Sequence, residues 1–257
     1  MAARLERILA EKQIYGKCQI MEEVMKITYW SDYACPYCYI GEARLHKAIS
    51  EMGLTEEVEL VPRAFELDPN ASTEVQSDTA SRFARKYGMS VPQAMAQIEH
   101  ISALGRAEGI DFRYAETQYT NTFNAHRLMK LALSKNDREL AEKTNQLLFD
   151  AYFTKSLKLA DENTLLAVAK LAGLPEDEVR EMLATDRFAD EVRADEQEAY
   201  RRGIHGVPYF LFENGCVIGG ATSVQGFKDA LALARGNAGG SSPMAGEQCG
   251  PDGCKLP

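Results

Sequence analysis

One stretch constrains the fold of this chain more than any other. Lys26-Ile27-Thr28-Tyr29-Trp30 alternates as a strand does, and soon after it Cys35-Pro36-Tyr37-Cys38 opens a helical pattern. In that pattern Tyr39, Ile40, Ala43, Leu45, Ala48 and Ile49 recur over roughly four turns, up to Gly53 as a plausible cap. A strand feeding a turn that carries two cysteines, with the second already inside a helix, is a specific local architecture.

The rest of the chain fits around it. Val58 to Phe65 reads as a second strand, ended by the Asp68-Pro69-Asn70 turn. Residues 75–203 carry only helical periodicity, broken at Gly88, Gly109 to Asp111, Asn136 to Asp137, Asp161, Gly173 to Pro175 and Asp186. Strand character returns at Val207 to Phe212, and Glu213-Asn214-Gly215 turns it into Cys216-Val217-Ile218 as a hairpin. A helix from Ser223 to Arg235 closes the unit and stops at Gly236. The order predicts an α/β fold interrupted by an all-helical insertion. The expected organisation is an N-terminal extension at 1–24, read as an appended helix, with one α/β domain made of 25–74 and 204–236. Residues 75–203 form the helical insertion, and 237–257 a flexible tail that holds a second cysteine pair.

The chemistry follows from the cysteines. A thiolate, not a thiol, attacks a disulfide, and a helix N-terminus favours the thiolate through its free N–H groups and its dipole. With Cys35 at the N-cap, Pro36 takes the first helical position, where its fixed φ suits a helix start, and Cys38 falls at the third. The amides of that first turn are then expected to donate to the Cys35 sulfur, which makes Cys35 the expected exposed nucleophile and Cys38 the buried resolving thiol. A zinc half-site completed by Cys249 and Cys254, in a zinc-bound chaperone or scaffold, is the competing reading. It does not need the strand-to-helix context, so no metal is assigned.

Composition bounds the partners. A net charge of -9 without a long Lys/Arg run argues against nucleic acid or an anionic membrane surface as the main partner. No window approaches the roughly 18 apolar residues of a membrane span, and residues 1–24 lack the uninterrupted apolar stretch of a secretory signal. The cytoplasm is the expected compartment. Six cysteines in 257 residues, two of the spacings being local pairs, suit chemistry better than a disulfide framework.

Ser31-Asp32-Tyr33-Ala34-Cys35-Pro36-Tyr37-Cys38-Tyr39-Ile40-Gly41, Phe65-Glu66-Leu67-Asp68-Pro69, Asn121 to Leu128 and Gly203-Ile204-His205-Gly206-Val207-Pro208-Tyr209-Phe210 resemble the DsbA-like thioredoxin family, specifically its FrnE-type branch. The likeness runs from about Met25 to Arg235. It implies a thioredoxin fold with the helical insertion over the active-site face, and thiol-disulfide oxidoreduction on protein thiols or disulfides, with glutathione as a small-thiol partner and no cofactor. It also implies a cis peptide before Pro208, which bare X-Pro statistics would not suggest, and a Val207 backbone beside the cysteine pair, free to align an extended substrate. The same superfamily includes kappa-class glutathione transferases and 2-hydroxychromene-2-carboxylate isomerases. They generally lack a redox cysteine pair, so the pair here favours oxidoreduction over that alternative.

Several weaker signals complete the reading. Tyr37 is a candidate substrate contact alongside Pro36, and Tyr39 fits the core. Asn121, Asn124 and Leu128 are expected on one helical face, with Asn121 as N-cap; His126 is a candidate active-site contact, against a surface role for His126 and Arg127. Asp32 and Glu66 read as solvated carboxylates, Cys216 as a small buried hydrophobe, and Cys18 as a free thiol in the leader. Cys249 and Cys254, separated by Gly-Pro-Asp-Gly, are candidates for an auxiliary redox pair.

Overall fold

A computed structural model describes residues 24–236 and the short strands 244–245, 249–250 and 253–254. The expected leader helix and Cys18 lie outside the described residues. β1 (Met25–Ser31) is central: it pairs in parallel with β2 (Val58–Ala64), from Met25 opposite Val58 to Ser31 opposite Ala64. On its other side it pairs antiparallel with β3 (Tyr209–Phe212), which turns at Gly215 into β4 (Val217–Gly219). The sheet order is β2-β1-β3-β4-β5, where β5 (Met244–Ala245) lies parallel to β4. This is a thioredoxin-type α/β sheet.

Within the 237–257 stretch, expected as a flexible tail, Met244 and Ala245 pair with Ile218 and Gly219. An unpaired β4 edge would leave a row of backbone donors and acceptors open, and the tail fills it.

α1 (Pro36–Glu51) follows β1 and packs with α9 (Val224–Arg235) on one face of the sheet. Leu45, Ala48 and Ile49 of α1 meet Ile27, Phe210, Phe227 and Leu231 there in a core of fully or nearly fully buried side chains. Each such Leu, Ile or Phe side chain contributes roughly 1.5–3 kcal/mol by leaving water.

Between β2 and β3 the chain forms seven helices: α2 (Thr79–Tyr87), α3 (Val91–Ala107), α4 (Phe123–Leu133), α5 (Arg138–Phe153), α6 (Glu162–Ala172), α7 (Glu176–Ala184) and α8 (Ala189–Arg201). Local chemistry sets their ends: Asp78, Ser90, Asp137 and Asp161 each accept an amide of the turn they open, and Gly88 and Gly173 close α2 and α6 in the left-handed conformation. These helices join the cysteine pair in a second, larger core in which Tyr39 lies flat on Phe149 and Phe112 stacks on Phe153. α8 ties the helices back to the sheet, since the Trp30 indole donates to the Asp195 carbonyl at 3.0 Å and Asp195 accepts Arg63 Nη1 and the Ala64 amide, both at 2.8 Å. Among the described residues no helix is long and apolar enough to cross a membrane.

Candidate active site

β1 ends at Ser31, and a turn closed by the Cys35 amide on the Asp32 carbonyl (3.0 Å) delivers Cys35 to the N-cap of α1, with Pro36 in its first turn. The peptide between Val207 and Pro208 is cis. The Cys35 thiol donates to the Val207 carbonyl at 3.6 Å, so the loop before β3 sits directly on the first sulfur. The Gly220 amide holds the Pro208 carbonyl at 2.7 Å. Gly41 is what lets α1 approach this loop: a Cβ there would stand 3.1 Å from Pro208 Cγ and 3.4 Å from Ala221 Cα. Cys35 and Cys38 are both free thiols.

Two expectations about Cys35 do not hold. No first-turn amide caps its sulfur; the Cys38 amide goes to the Cys35 carbonyl instead, at 3.1 Å. Nor is the residue exposed: Cys35, Tyr37 and Cys38 are each 0% accessible, because the helical segment and the Val207 loop close over the start of α1. Pro36 and Val207, the other expected substrate contacts, are buried with them.

Cys38 occupies a different setting. Its sulfur accepts the Asp32 amide at 3.5 Å, and burial, followed by its contact with Cys35, pushes its thiol well above the ordinary value. Asp32 is not a solvated turn carboxylate: it is 2% exposed, and its side chain accepts the Leu67 amide at 2.7 Å and the Ala34 amide at 3.2 Å. It fixes the loop after β2 to the cysteine turn. His126 is buried too, its ring against Tyr33 and its Nε2 3.6 Å from Asp32 Oδ1. Arg127 is likewise inside, bridging to the carbonyls of Met182, Thr185 and Arg187. A surface role for this pair is excluded because α4 is packed on its neighbours along that side.

Glu66, expected in solvent, is buried and held by Arg193 Nη1 at 2.6 Å and Asn121 Nδ2 at 3.2 Å. Burial raises its pKa against the pull of His126 and Arg193. Thr122, not Asn121, is the N-cap of α4; Asn121 stands one residue earlier and accepts the Phe123 amide at 2.9 Å. Cys216 packs among Ile218, Phe212 and Phe227 as a buried apolar group. Tyr39 is in the core, its hydroxyl between Asp150 and Gln146. Of the tail, Cys249 and Cys254 are register partners across β6 (Cys249–Gly250) and β7 (Gly253–Cys254).

Two groups of residues went unread in the sequence. Ser31, Tyr29 and Asn145 converge on the buried carboxyl of Glu42, one turn beyond Cys38. Beside the Asp32-anchored loop lies a cavity of about 780 Å³ lined by Leu67, Asp68, Arg82, Arg85, Lys86 and Tyr119 among others. The Arg82 guanidinium lies 4.0 Å from the Tyr119 ring centroid, and Lys86 is within electrostatic reach of Cys35 and Asp32.

Comparison with known proteins agrees with this geometry. The model of the DSBA-like thioredoxin domain matches residues 26–232. A probable DsbA oxidoreductase from Streptomyces coelicolor is 36% identical and superposes with a TM-score of 0.78, covering 91% of this chain and 99% of its own. A 2-hydroxychromene-2-carboxylate isomerase is similar at 15% identity and a TM-score of 0.63, over 85% of this chain and all of its own. The cytosolic disulfide reductase DsbM from Pseudomonas aeruginosa, solved with GSH, is similar at 14% identity and a TM-score of 0.54, over 81% of this chain and 98% of its own. At such identities the last two show the shared fold.

Proposed function

The chain belongs to the family of DSBA-like thioredoxin domains, and from that membership we propose that it is a protein thiol-disulfide oxidoreductase in which Cys35 attacks and Cys38 resolves. The observation that carries the reading is the position of Cys35: an N-cap sulfur at a helix start, 3.6 Å from the carbonyl that precedes the cis Pro208. A substrate strand that displaces the Cys35 thiol from that carbonyl gains a backbone acceptor at the point of attack. The Cys35 thiolate then forms a bond to one substrate sulfur and expels the other; Cys38 attacks the mixed disulfide and releases the remaining substrate thiol. Placement in the FrnE-type branch is part of this proposal and rests on the motifs around Cys35, Asn121 and Pro208. So is an auxiliary role for Cys249 and Cys254, whose backbone register suits a local disulfide.

Reduction of insulin by dithiothreitol tests the assignment. The protein is expected to accelerate insulin precipitation, and Cys35→Ser is expected to bring the rate to that of dithiothreitol alone. Retained acceleration in Cys35→Ser would overturn it.

The cationic cavity favours a second, compatible reading in which a small thiol bearing carboxylates, such as glutathione, serves as substrate or reductant. Arg82, Arg85 and Lys86 line a space large enough for a tripeptide together with Asp68 and Glu74, and Lys86 is within electrostatic reach of Cys35. Glutathione disulfide turnover that exceeds insulin turnover would favour it, and a transferase or isomerase reading would gain from glutathione-dependent turnover that survives replacement of both Cys35 and Cys38.

A further inference from the structure

We propose that Arg82, held over the Tyr119 ring, binds a carboxylate carried beside the sulfur of a disulfide substrate, with Arg85 and Lys86 drawing that anion into the cavity they share. The proposal deepens the small-thiol reading and rests on Cys35 as the attacking sulfur.

α2 sets the three cations. Asp78 caps the helix, Thr79 Oγ1 donates to the Thr117 carbonyl at 2.8 Å, and the buried Phe83 ring meets Tyr87 and Tyr114 at 4.4 and 6.4 Å between centroids. Arg82, Arg85 and Lys86, at spacings of three and four, then lie along one side of that fixed helix, and all three line the cavity. The Arg82 guanidinium stands 4.0 Å from the Tyr119 ring centroid, a contact that uses none of its five N–H donors.

Those donors lack a carboxylate. Among the described residues Arg82, Arg85 and Lys86 enter no ion pair, and the buried Arg82 Nε has no hydrogen-bond partner. Arg85 donates to the Ser77 hydroxyl at 3.5 Å. Arginines elsewhere do better: Arg44, Arg63, Arg193 and Arg202 each hold a carboxylate at 2.6–2.8 Å. In a chain of net charge -9 acids are in excess, so three cations left without one on a single wall mark a place for an outside anion. The two acidic residues of the lining have other partners, since Asp68 Oδ1 accepts the Asn70 amide at 3.1 Å and Glu74 meets Lys158 at 3.4 Å. Burial works against the charge of Arg82, but Tyr152, Tyr114 and Tyr119 hold its guanidinium above the ordinary value. The site keeps its positive charge.

The cavity is tied to the cysteine turn. Leu67 lines it and donates its amide to Asp32 Oδ2 at 2.7 Å, while the Asp32 carbonyl accepts the Cys35 amide at 3.0 Å. A disulfide held by its carboxylate on Arg82 is thereby anchored beside the turn that presents Cys35. The chemistry favours a carboxylate because its two oxygens take two N–H donors of one guanidinium at once, and Arg85 and Lys86 suit a substrate with more than one negative charge. Glutathione disulfide meets that description, and so does a protein disulfide flanked by acidic residues.

Two chromogenic disulfides read the site by charge: 5,5′-dithiobis(2-nitrobenzoate), with two carboxylates, and 4,4′-dithiodipyridine, with none. In the full chain with Cys18, Cys249 and Cys254 replaced by serine, the first phase in stopped flow gives the rate of Cys35 attack on each. No reaction at Cys35 with either reagent would refute the nucleophile assignment, whereas the site concerns only the ratio of the two rates. Arg82→Gln is expected to lower the ratio of the anionic to the neutral rate by about tenfold, and Arg82→Lys, which keeps the charge without the fork, to lower it by less. Arg85→Gln/Lys86→Gln is expected to lower it by about twofold to fivefold and carries the test if Arg82→Gln does not fold. Glutathione disulfide and peptide disulfides with glutamate or glutamine beside the cysteine then locate the carboxylate. A loss in Arg82→Gln on glutathione disulfide assigns it to a small thiol, and a loss on the glutamate peptide but not the glutamine one assigns it to a protein side chain. A wild-type ratio in folded Arg82→Gln, or in the double variant where Arg82→Gln does not fold, would overturn the site, as would a loss on none of these three disulfides.

Discussion

The two sides of the first turn of α1 differ sharply although they belong to one redox pair. On the Cys35 side the neighbours are backbone and hydrocarbon: the Val207 carbonyl, Pro208, and the Gly41 to Ala221 contact that lets the loop come close. On the Cys38 side they are polar and buried: the Asp32 amide, Ser31, Glu42 and, behind them, Asn145. Two residues of sequence separate a sulfur that meets an acceptor a substrate can take over from a sulfur that accepts the Asp32 amide. A helix start accounts for the first through its dipole, which fades within a turn. The second depends on side chains brought in by β1 and α5.

Differential alkylation offers the most direct way to break this comparison. Both sulfurs are buried, so either can react only when the Val207 loop and the helical cover give way, and ionisation then decides the order. Because the Cys38 thiol is held protonated, iodoacetamide near pH 7 is expected to modify Cys35 faster by about a hundredfold or more. Mass mapping of the peptides over time gives the ratio, and equal rates would mean that the polar surroundings of Cys38 have no chemical consequence.

A stability measurement sharpens the same contrast through Glu42. Its folded pKa of about 7 lies above the ordinary carboxyl value, so the folded state favours the protonated form. The stabilisation is complete below about pH 4.5 and is lost as pH rises through about 7, a change of roughly 3 kcal/mol for this one group. A neutral amide does not titrate. Glu42→Gln, nearly isosteric with the protonated acid, is therefore expected to match the wild type near pH 4.5 and to exceed it by up to roughly 3 kcal/mol at pH 8 in urea unfolding. The difference between the two proteins removes the contribution of Glu66, whose pKa is also raised. A constant difference across that range would mean Glu42 is already charged and paired.

These contrasts were unevenly legible in the sequence. The strand, the cysteine turn and the proline start of α1 follow from local propensity and capping, and the breaks between the later helices follow from Asp, Ser and Gly at their ends; each is a property of neighbouring residues. Asp32, Glu66 and Arg127 were misplaced because their burial is tertiary. A carboxylate in a turn looks solvated until the Leu67 amide from another strand's loop and the rings of the helical segment close over it. Glu42 had a usable signal: with Cys38, Leu45 and Ile49 it completes a stripe at helical spacing, and a charged residue in an apolar stripe marks a buried polar site. Nothing local announces its partner Asn145, which lies 103 positions away. Nor does the composition of the tail announce β5, whose pairing is decided by the open edge of β4.

The smallest expected effect concerns that tail. β5 runs parallel to β4, and the Gly220 amide just past the end of β4 bonds to the Pro208 carbonyl, so Ala245 points the chain toward the loop that contacts Cys35. Cys249 comes four residues later, at most about 14 Å of extended chain. Register partners in an antiparallel pair have Cα atoms roughly 4.5–5.5 Å apart, within the range a disulfide spans, so the backbone of Cys249 and Cys254 is set for a local bond. A pair tethered this close has an effective concentration on the order of millimolar toward Cys35. If it shuttles electrons to the active-site pair, Cys249→Ser/Cys254→Ser is expected to slow multiple-turnover insulin reduction by about twofold to fivefold at micromolar external thiol, with the deficit closing as that thiol approaches the millimolar range. A Cys38→Ser background should also yield a Cys35-to-tail mixed disulfide under mild oxidation, identifiable by mass mapping. Unchanged turnover at low external thiol, together with no such adduct, would reduce the tail pair to spectators and leave the contrast between Cys35 and Cys38 to account for the whole activity.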